Sequence, residues 1–304
     1  MIRAKYISDT PPKKGREGKS GQNVAWYFYD IWRRMSKEDD NKWGNLHIVA
    51  PDEQADIYIV VNHPVFYPPY DYFDPAKTIV LQLEPPCARD AGWMAWENPD
   101  HDDFLFVHDI KTCKMNIDWN VNQTYRQLSD HTPEKTKLFS TIQTWKAYHP
   151  GHKLRHRFLK TFLNGFKGLD IYGNLKQGDD FLYENYKGLL PVREKELGIM
   201  PYKYHFCCEN SEVDNYFTEK ICDALVCEAL PLYWGCPNLD KFLPEDCYIR
   251  LPLDDPERSL EVIRKAIEGN EWEKRLPAIR EAKRRILNEL QMFPTLDKIL
   301  SEVL

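Results

Sequence analysis

Short apolar segments alternate with segments of helical periodicity along most of the chain. In the first half, the pattern predicts an amphipathic helix over 22–35, followed by several strand-like runs. These runs are LHIVA, DIYIVVN, TIVLQLE and DFLFVHD. Because strands that alternate with helices usually lie parallel in one sheet, the pattern predicts α/β layers rather than a β-sandwich or a helical bundle.

The alternation restarts after Pro150. Here the pattern predicts a helix over 152–164, the strands LDIYG and YKYHFCC, a helix over 217–228, and the strands LPLYWG and CYIRL. From Pro256 onward the chain reads as mixed-charge amphipathic helix, which is typical of a solvated packing layer. We therefore predict two α/β units with a boundary near 145–151.

Composition and charge narrow the class of protein. The 304 residues are 42% hydrophobic and 13% aromatic, which indicates a folded chain of about two domains. Lys and Arg total 41 against 47 Asp and Glu, so the net charge is −6. Because this sign is opposite to that of a protein that binds phosphate backbones, we predict no nucleic-acid partner and only a local anion site.

Neither a membrane span nor a disulfide framework is indicated. No run approaches about 18 apolar residues, and the N-terminal segment lacks an apolar core, so we predict no transmembrane segment. The eight cysteines contain no CxxC pair, and we predict reduced thiols in a cytoplasmic protein. Cys207 and Cys208 are adjacent in a predicted strand, so their side chains should point to opposite faces.

Three short motifs suggest phosphate or metal chemistry but lack the expected context. The GKS at 18–20 has Lys13 where a phosphate-binding loop needs glycine. The DHD at 100–102 resembles a metal-binding DxD, yet it follows ENP rather than an apolar strand, so we interpret it as solvated loop acids. The histidines in 149–156 have no Cys, Asp or Glu near enough to complete a zinc site. We predict no metal site.

The segment 146–168 is strongly basic in an acidic protein, with no Asp or Glu. On a helical wheel its apolar face contains Leu154, Phe158, Leu159, Phe162 and Leu163, and its solvent face contains Lys153, Arg157 and Lys160. Arg155 falls in the middle of the apolar face. Because a buried guanidinium needs an anion, Arg155 should bind either a phosphate, which suits its planar fork, or a structural carboxylate.

A βαβ unit over 204–237 is a second candidate site. Its first strand ends at Glu209-Asn210, and a polar loop leads to a helix that starts near Thr218. A loop at the carboxyl end of a parallel strand is the usual ligand position in such sheets. Lys220 and the free N–H groups of the helix start favour an anion, and Glu219 could accept from a ribose diol. The alternative is that Glu219 only caps the helix and Lys220 pairs with Asp223 at i+3.

This unit resembles the signature of the α1,3/4-fucosyltransferases, glycosyltransferase family 10. The matched positions are Glu209, Asn210, Ser211, Tyr216, Thr218, Glu219, Lys220, Asp223, Ala224, Leu225, Pro231, Leu232, Tyr233, Trp234, Gly235 and Pro237. The resemblance implies an α/β fold of the GT-B type, with two Rossmann-like domains facing across a cleft. It also implies inverting transfer of L-fucose from GDP-fucose. Because Arg155, Lys220 and a helix N-terminus supply the positive charge, we expect this donor to bind without an obligatory metal or other cofactor.

The resemblance also implies roles for particular residues. Lys220 would bind the pyrophosphate and Glu219 the ribose, while Asn210 and Tyr216 would line the phosphates and the sugar. The family has an Arg on the helix before this signature, and the register KLRHRF places Arg155 there. Two departures stand out: this chain has Ala-Tyr at 147–148 where members often have Ser-Asn, and it lacks the paired C-terminal cysteines of animal members.

One feature of the N-terminal half is similar to the family. The strand TIVLQLE ends in Glu84-Pro85-Pro86, like the Glu-Ser-Pro or Glu-Asn element that carries the family's general base. Such a base removes the proton from the acceptor hydroxyl while fucose transfers. The alternative is a strand-end glutamate in solvent.

Together these inferences predict three segments: an acceptor-binding domain over 1–147 that carries Glu84, a GDP-fucose-binding domain over 148–290, and a C-terminal helix over 291–304. The expected acceptor is a GlcNAc-containing or related glycan, joined by an α1,3 or α1,4 linkage. Aromatic residues that could form its sugar platform, or could equally be core, are Tyr67, Tyr70, Tyr72, Trp93 and Trp96. Two alternatives stay open: a GT-B transferase for another nucleotide sugar, and a non-catalytic glycan-binding module.

Overall fold

The computed structural model describes residues 1–7, 22–61, 74–81, 103–108, 118–175 and 184–304. The chain forms two compact units. The first comprises 1–118, 124–126 and 288–304, and the second comprises 119–123 and 127–287. The division therefore falls near residue 118, whereas the sequence pattern placed it near 147. The difference arises from the strand Lys137–Thr144, which the pattern did not identify and which pairs inside the second sheet.

The first unit is built on a mostly parallel sheet. Its strands are β1 Ile2–Tyr6, β2 Lys42–Trp43, β3 Leu46–Ile48, β4 Ile57–Val61, β5 Thr78–Leu81 and β6 Phe106–His108. Their order is β2-β3-β1-β4-β5-β6, and only the β2–β3 pair is antiparallel. β5 is buried along its whole length, as expected for a central strand covered on both faces.

Helices at both ends of the sequence belong to this unit. α1 spans Gln22–Arg33 and buries Trp32 against Tyr6 of β1, with ring centroids 4.5 Å apart. The short helix α2, Tyr125–Asp130, is divided between the units: residues 125–126 belong to the first and 127–130 to the second. The C-terminal helix α7, Met292–Val303, stacks Phe293 on Trp43, 6.2 Å away. The predicted C-terminal helix is thus present and packs beside the antiparallel strands of the first sheet.

The second unit contains a fully parallel sheet. Its strands are β7 Lys137–Thr144, β8 Leu169–Asn174, β9 Tyr186–Gly188, β10 Tyr202–Cys208, β11 Leu230–Trp234 and β12 Ile249–Arg250. The order is β12-β11-β10-β7-β8-β9. Because the strands are parallel, their carboxyl ends lie at one edge of the sheet, where ligands bind in open α/β folds.

Helices connect these strands. α3 spans Pro150–Phe158 and continues as a π-helical turn over Leu159–Leu163, and α4 spans Glu219–Val226. α5 spans Pro256–Glu268, and α6 spans Glu271–Arg285 with a π-helical turn over Ile286–Leu290. Short 3₁₀ turns lie at Pro75–Lys77, Lys195–Gly198, Leu239–Lys241 and Glu245–Cys247. None of the helices in the described ranges is both long and apolar enough to span a membrane.

The paired cysteines of β10 point to opposite faces of the sheet, as predicted. Cys207 Sγ donates to the Lys220 carbonyl of α4 at 3.3 Å, and Cys208 Sγ donates to the Gly151 carbonyl of α3 at 3.4 Å. Both thiols are free and buried, as are the other four cysteines in the described ranges. Burial raises the pKa of Cys208 to about 12, which keeps it a thiol.

The mixed-charge C-terminal helices are amphipathic, as the pattern predicted, but one of their cations is buried. Lys283 of α6 is buried, and its Nζ lies 2.8 Å from Glu228 Oε1 just beyond α4. Arg280 Nε binds the other oxygen of the same carboxylate at 3.1 Å. Because a buried ammonium is stable only when paired, these contacts fix α6 against the segment that follows α4 in the same unit.

Two glycines offer a test of packing at β8 and β9. Gly173 (φ +117°) has no room for a side chain, since an added Cβ would lie 1.9 Å from the Gln143 carbonyl oxygen of β7. Gly188 (φ +92°) has no atom within 4 Å of the same position. We expect Gly173→Ala to lower the free energy of unfolding by ~3 kcal/mol or more, and Gly188→Ala by only the ~1–2 kcal/mol of backbone strain. Chemical denaturation measures both, and equal losses would contradict the packing.

Candidate functional site

Two helices of the second unit begin at the carboxyl edge of its sheet. α3 follows β7 and has Pro150 in its first turn. Proline is tolerated there because a backbone N–H at this position would have no hydrogen-bond acceptor within the helix. α4 follows β10 through a polar loop and starts after Thr218, whose side chain accepts from the Lys220 N–H. Helix starts present free N–H groups and a partial positive charge, so this edge attracts anions.

Gly151 lets α3 approach the end of β10. Its N–H donates to the Asn210 carbonyl at 2.9 Å, and an added Cβ would lie 2.0 Å from the Glu209 carbonyl oxygen. Only glycine permits this approach. The first turn of α3 and the residues 209–210 are therefore held in direct contact.

Arg155 lies on the inward face of α3, as the helical wheel predicted. It is 5% exposed, and its Nη2 donates to Thr144 Oγ1 at the end of β7 at 3.5 Å. Its Nε is buried without a hydrogen-bond partner, and no carboxylate of the described residues lies within 4 Å of the guanidinium. Burial lowers the pKa of Arg155, with Glu209 and Glu219 opposing from longer range. The structure therefore does not contain the alternative, an ion pair between Arg155 and a structural carboxylate.

Glu209 anchors the loop that leads to α4. Its carboxylate is fully buried and accepts from Thr218 twice, from the N–H at 2.9 Å and from the hydroxyl at 2.7 Å. Gly235 packs against it, since an added Cβ there would lie 2.4 Å from Glu209 Cγ. Burial raises the pKa of Glu209, and the Lys220 ammonium opposes this shift. The carboxylate thereby sets the start of α4.

Lys220 pairs with acids on its own side of the loop rather than with Asp223. Its Nζ lies 2.9 Å from Thr218 Oγ1, 3.2 Å from Glu219 Oε1 and 3.4 Å from Glu209 Oε2. Burial lowers the pKa of Lys220, but the two carboxylates outweigh burial and raise it above its usual value. The Lys220 side chain is 22% exposed and stays charged, so a ligand at this edge can reach it.

Asp223 has a different role. Its Oδ2 accepts from Lys195 Nζ at 2.5 Å, and its Oδ1 accepts from the N–H groups of Asn120 and Val121 at 2.6 and 3.2 Å. Asp223 is fully buried, so these bonds tie segment 119–123 and the turn at 195–198 to α4. The alternative i+3 pair between Lys220 and Asp223 is not formed, because Lys195, a long-range partner, occupies the carboxylate.

Tyr216 is buried in the loop before α4. The turn that presents it is held by amides. Asn215 has a left-handed backbone (φ 64°), and its N–H donates to Asn238 Oδ1 at 2.8 Å. Asn238 Nδ2 donates in return to Asn215 Oδ1 at 3.0 Å. This reciprocal pair fixes the turn against the loop that follows β11.

Cations cluster around the first turn of α3. Burial lowers the pKa of His149, and the positive charges of Arg155, Lys146 and Lys220 lower it further. Each of these three cations therefore acts on the imidazole of His149. The electrostatics favour a ligand with several negative charges, and a nucleoside diphosphate has them.

The structure brings together five of the predicted site residues. Arg155, Asn210, Tyr216, Glu219 and Lys220 all lie at the carboxyl edge of the second sheet. Glu84 lies outside the described residues, as do the DHD at 100–102 and the aromatic residues considered for the acceptor. Among described residues, no group of three or more His, Cys, Asp or Glu is arranged to hold a metal ion.

Comparison with known proteins identifies this unit. Residues 132–260 match the profile of the glycosyltransferase family 10 (fucosyltransferase) C-terminal domain. The second unit is therefore similar to that domain over residues 132–260. An alpha-(1,3)-fucosyltransferase, FucT, of Helicobacter pylori is 40% identical over 50 residues, which are 16% of this chain and 10% of that protein. GDP-fucose protein O-fucosyltransferase 3 of Danio rerio is 33% identical over 73 residues, 24% of this chain and 16% of that protein. The chain thus aligns with about a tenth to a sixth of these relatives.

Solved structures confirm the predicted GT-B fold class. An α1,3-fucosyltransferase crystallised with GDP has a TM-score of 0.51 at 14% identity, over 96% of this chain and 92% of that one. An α-glucosyltransferase in complex with UDP and a 13-mer DNA has a TM-score of 0.57 at 11% identity, over 99% of both chains. At such identities the likeness concerns the fold, which agrees with two α/β units built on mostly parallel sheets.

The charge of Glu219 generates a prediction for pH dependence. Burial raises the pKa of Glu219, but Lys220 and Lys195 outweigh burial and lower it to about 2, against 4.5 normally. As the pH falls, Glu219 is protonated in the unfolded chain, near pH 4.5, before it is protonated in the folded chain. The stabilisation by Glu219 is therefore complete above pH 4.5 and is lost as the pH falls towards 2.

We expect Glu219→Gln to lower the free energy of unfolding by at most ~3 kcal/mol at neutral pH, with the difference from wild type narrowing below pH 4.5. Denaturant titrations at a series of pH values measure this. The exposed Glu212→Gln in the same loop is the matched control and should change stability by less than ~0.5 kcal/mol. A pH-independent difference for Glu219→Gln would rule out the charge interaction.

Proposed function

We propose that this chain is an inverting fucosyltransferase that moves L-fucose from GDP-fucose to a hydroxyl of a glycan acceptor. The observation that carries the proposal is Arg155, a buried cation without a carboxylate partner at the edge where α3 and α4 begin. It lies within the family 10 domain, and a fucosyltransferase of the same fold has been crystallised with GDP. A pyrophosphate supplies the anion that the guanidinium lacks.

The donor would lie along the carboxyl edge of the second sheet. Lys220 and Arg155 bind the pyrophosphate together with the free N–H groups of the helix starts. Glu219, charged at neutral pH, accepts from the ribose hydroxyls, and Asn210 and Tyr216 line the phosphates and the sugar. Positive side chains and helix dipoles supply the field for this binding, so we propose that the donor binds without an obligatory metal.

The reaction is a single displacement at the anomeric carbon. A general base removes the proton of the acceptor hydroxyl, the hydroxyl oxygen forms the new bond, and the bond to the β-phosphate oxygen breaks with its electron pair leaving on GDP. Arg155 and Lys220 would stabilise the charge that grows on that oxygen. We propose Glu84 as the base, because in the sequence it comes three residues after Leu81, the last residue of the buried strand β5.

The acceptor and the compartment complete the proposal. We propose that the acceptor is a GlcNAc-containing or related glycan, joined by an α1,3 or α1,4 linkage, and a glycan array incubated with GDP-fucose identifies it. The same array with other nucleotide sugars tests the alternative donor. Glycan binding that does not depend on GDP and leads to no transfer would indicate a lectin-like module.

Six free buried thiols among the described residues support a reducing, cytoplasmic compartment. Fractionation of the source cells tests this proposal.

Donor binding should depend on Arg155 and Lys220. We expect Arg155→Ala and Lys220→Ala each to weaken GDP by ~1.5–3 kcal/mol, the worth of a hydrogen bond to a charged group. Lys153→Ala, an exposed cation on the same helix, is the matched control and should leave GDP affinity within about twofold. Calorimetry on variants with unchanged melting temperature measures this. Wild-type affinity in both site variants would refute the pyrophosphate assignment.

Catalysis should depend on Glu84 while donor binding should not. Glu84→Gln keeps the shape of the side chain but cannot take a proton, so we expect kcat to fall ~100-fold or more with GDP affinity nearly unchanged. Glu97→Gln, the next glutamate along the chain, is the control and should transfer normally. Near wild-type transfer by Glu84→Gln would exclude this base, and a large drop in melting temperature would attribute the lost activity to unfolding.

A further inference from the structure

Ser211 carries a buried hydroxyl at the candidate site that the proposed chemistry does not use. It follows Glu209 and Asn210 just after β10, and it is 5% exposed. Its Oγ is buried, and no hydrogen-bond partner for it lies among the described residues. Burying a hydroxyl without a partner costs free energy, and nearly all buried polar groups in proteins have one. The position of Ser211 therefore needs a physical reason.

The other buried serines show that the fold ordinarily pairs such a hydroxyl. Within the described ranges three more serines are buried, and each has a side-chain hydrogen bond of 2.7 to 2.8 Å inside the chain: Ser36, Ser140 and Ser259. Ser211 differs from these three in lying at the carboxyl edge of the second sheet, where open α/β folds bind ligands. A ligand at this edge can supply the partner that the chain does not.

Ser211 lies at the junction between the end of β10 and the first turn of α3. The Gly151 N–H donates to the Asn210 carbonyl at 2.9 Å, and a Cβ added to Gly151 would lie 2.9 Å from the carbonyl carbon of Asn210. That carbon is bonded to the Ser211 nitrogen. The backbone of Ser211 is therefore adjacent to the start of α3.

Arg155 lies on the face of α3 that contains Gly151. The two residues are four apart, which is about 40° around a helix, and helical side chains tilt towards the N-terminus of their helix. The Arg155 side chain therefore extends back towards the turn that contacts Asn210, and its Nη2 reaches Thr144 Oγ1 at 3.5 Å. Its Nε is also buried with no partner in the described ranges. Two hydrogen-bond donors without partners thus border one junction.

We infer that Ser211 is a further residue that binds GDP-fucose, with its hydroxyl donating a hydrogen bond to a phosphate oxygen. Glu209, two residues earlier, is already occupied by the N–H and hydroxyl of Thr218. A phosphate has several acceptor oxygens, so it can accept from the Arg155 guanidinium and the Ser211 hydroxyl together. One rotation about χ1 redirects the hydroxyl towards a ligand. The inference rests on the proposed function, since it needs a diphosphate at this edge.

The Ser211→Ala variant distinguishes a ligand-binding hydroxyl from a structural one. Because the hydroxyl has no partner in the unliganded chain, its removal breaks no hydrogen bond, and we expect an unchanged or higher melting temperature. Ser140→Ala is the matched control, since it removes the hydrogen bond with His205 and should lower the melting temperature. A drop for Ser211→Ala as large as that for Ser140→Ala would reveal a partner inside the chain and overturn the inference.

Calorimetry should rank the same two variants in the opposite order. We expect Ser211→Ala to bind GDP about tenfold more weakly than wild type, the value of one hydrogen bond to a charged group, and Ser140→Ala to stay within about twofold. Inorganic pyrophosphate, which lacks the nucleoside, should lose affinity for Ser211→Ala by a similar factor. Wild-type affinity of Ser211→Ala for GDP, or a loss for GDP with none for pyrophosphate, would overturn the assignment of the hydroxyl to a phosphate.

The wild-type titrations keep this inference separate from the proposed function. If the wild type binds GDP and Ser211→Ala binds it equally well, the inference fails and the proposed function stands. If the wild type binds neither GDP nor pyrophosphate, the proposed function fails and the role of Ser211 with it.

Discussion

A guanidinium buried without a carboxylate is the constraint on which the second unit depends. Arg155 is almost fully removed from water, and among the described residues its side chain makes one long hydrogen bond, to Thr144 Oγ1 at 3.5 Å. Burial of an unpaired charge is among the most costly arrangements in a protein interior. Gly151 holds the helix that carries Arg155 against the end of β10, with Arg155 on its inward face. An anionic ligand offsets this cost.

The acids around the site place the cations without neutralising all of them. Glu209 is buried and satisfied by Thr218, while Glu219 and Glu209 together hold Lys220 beside the start of α4. Asp223 is occupied by Lys195 and so does not draw Lys220 away from the edge. The result is a preorganised positive site, in which the orientation of each donor is fixed before a ligand arrives.

The sequence predicted what depends on local periodicity. Arg155 was located by the helical wheel, and the opposite faces of Cys207 and Cys208 by strand alternation. The partner of Asp223 could not be predicted, because Lys195 is distant in sequence. β7 was missed because several of its buried residues are polar, and apolar and polar residues do not alternate regularly along it. One of these buried polar residues is Ser140, whose Oγ lies 2.8 Å from Nδ1 of the buried His205. An acid at the end of an apolar strand was the signal that pointed to Glu209.

The central claim is that the carboxyl edge of the second sheet binds a nucleoside diphosphate through its own cations. Calorimetric titration of the wild-type chain in EDTA, first with GDP and then with guanosine, tests it most directly. The account predicts that GDP binds without metal. It also predicts that guanosine, which lacks the pyrophosphate, binds at least ~100-fold more weakly than GDP. Equal affinities for the two ligands, or GDP binding that vanishes in EDTA and returns with Mn²⁺, would contradict it.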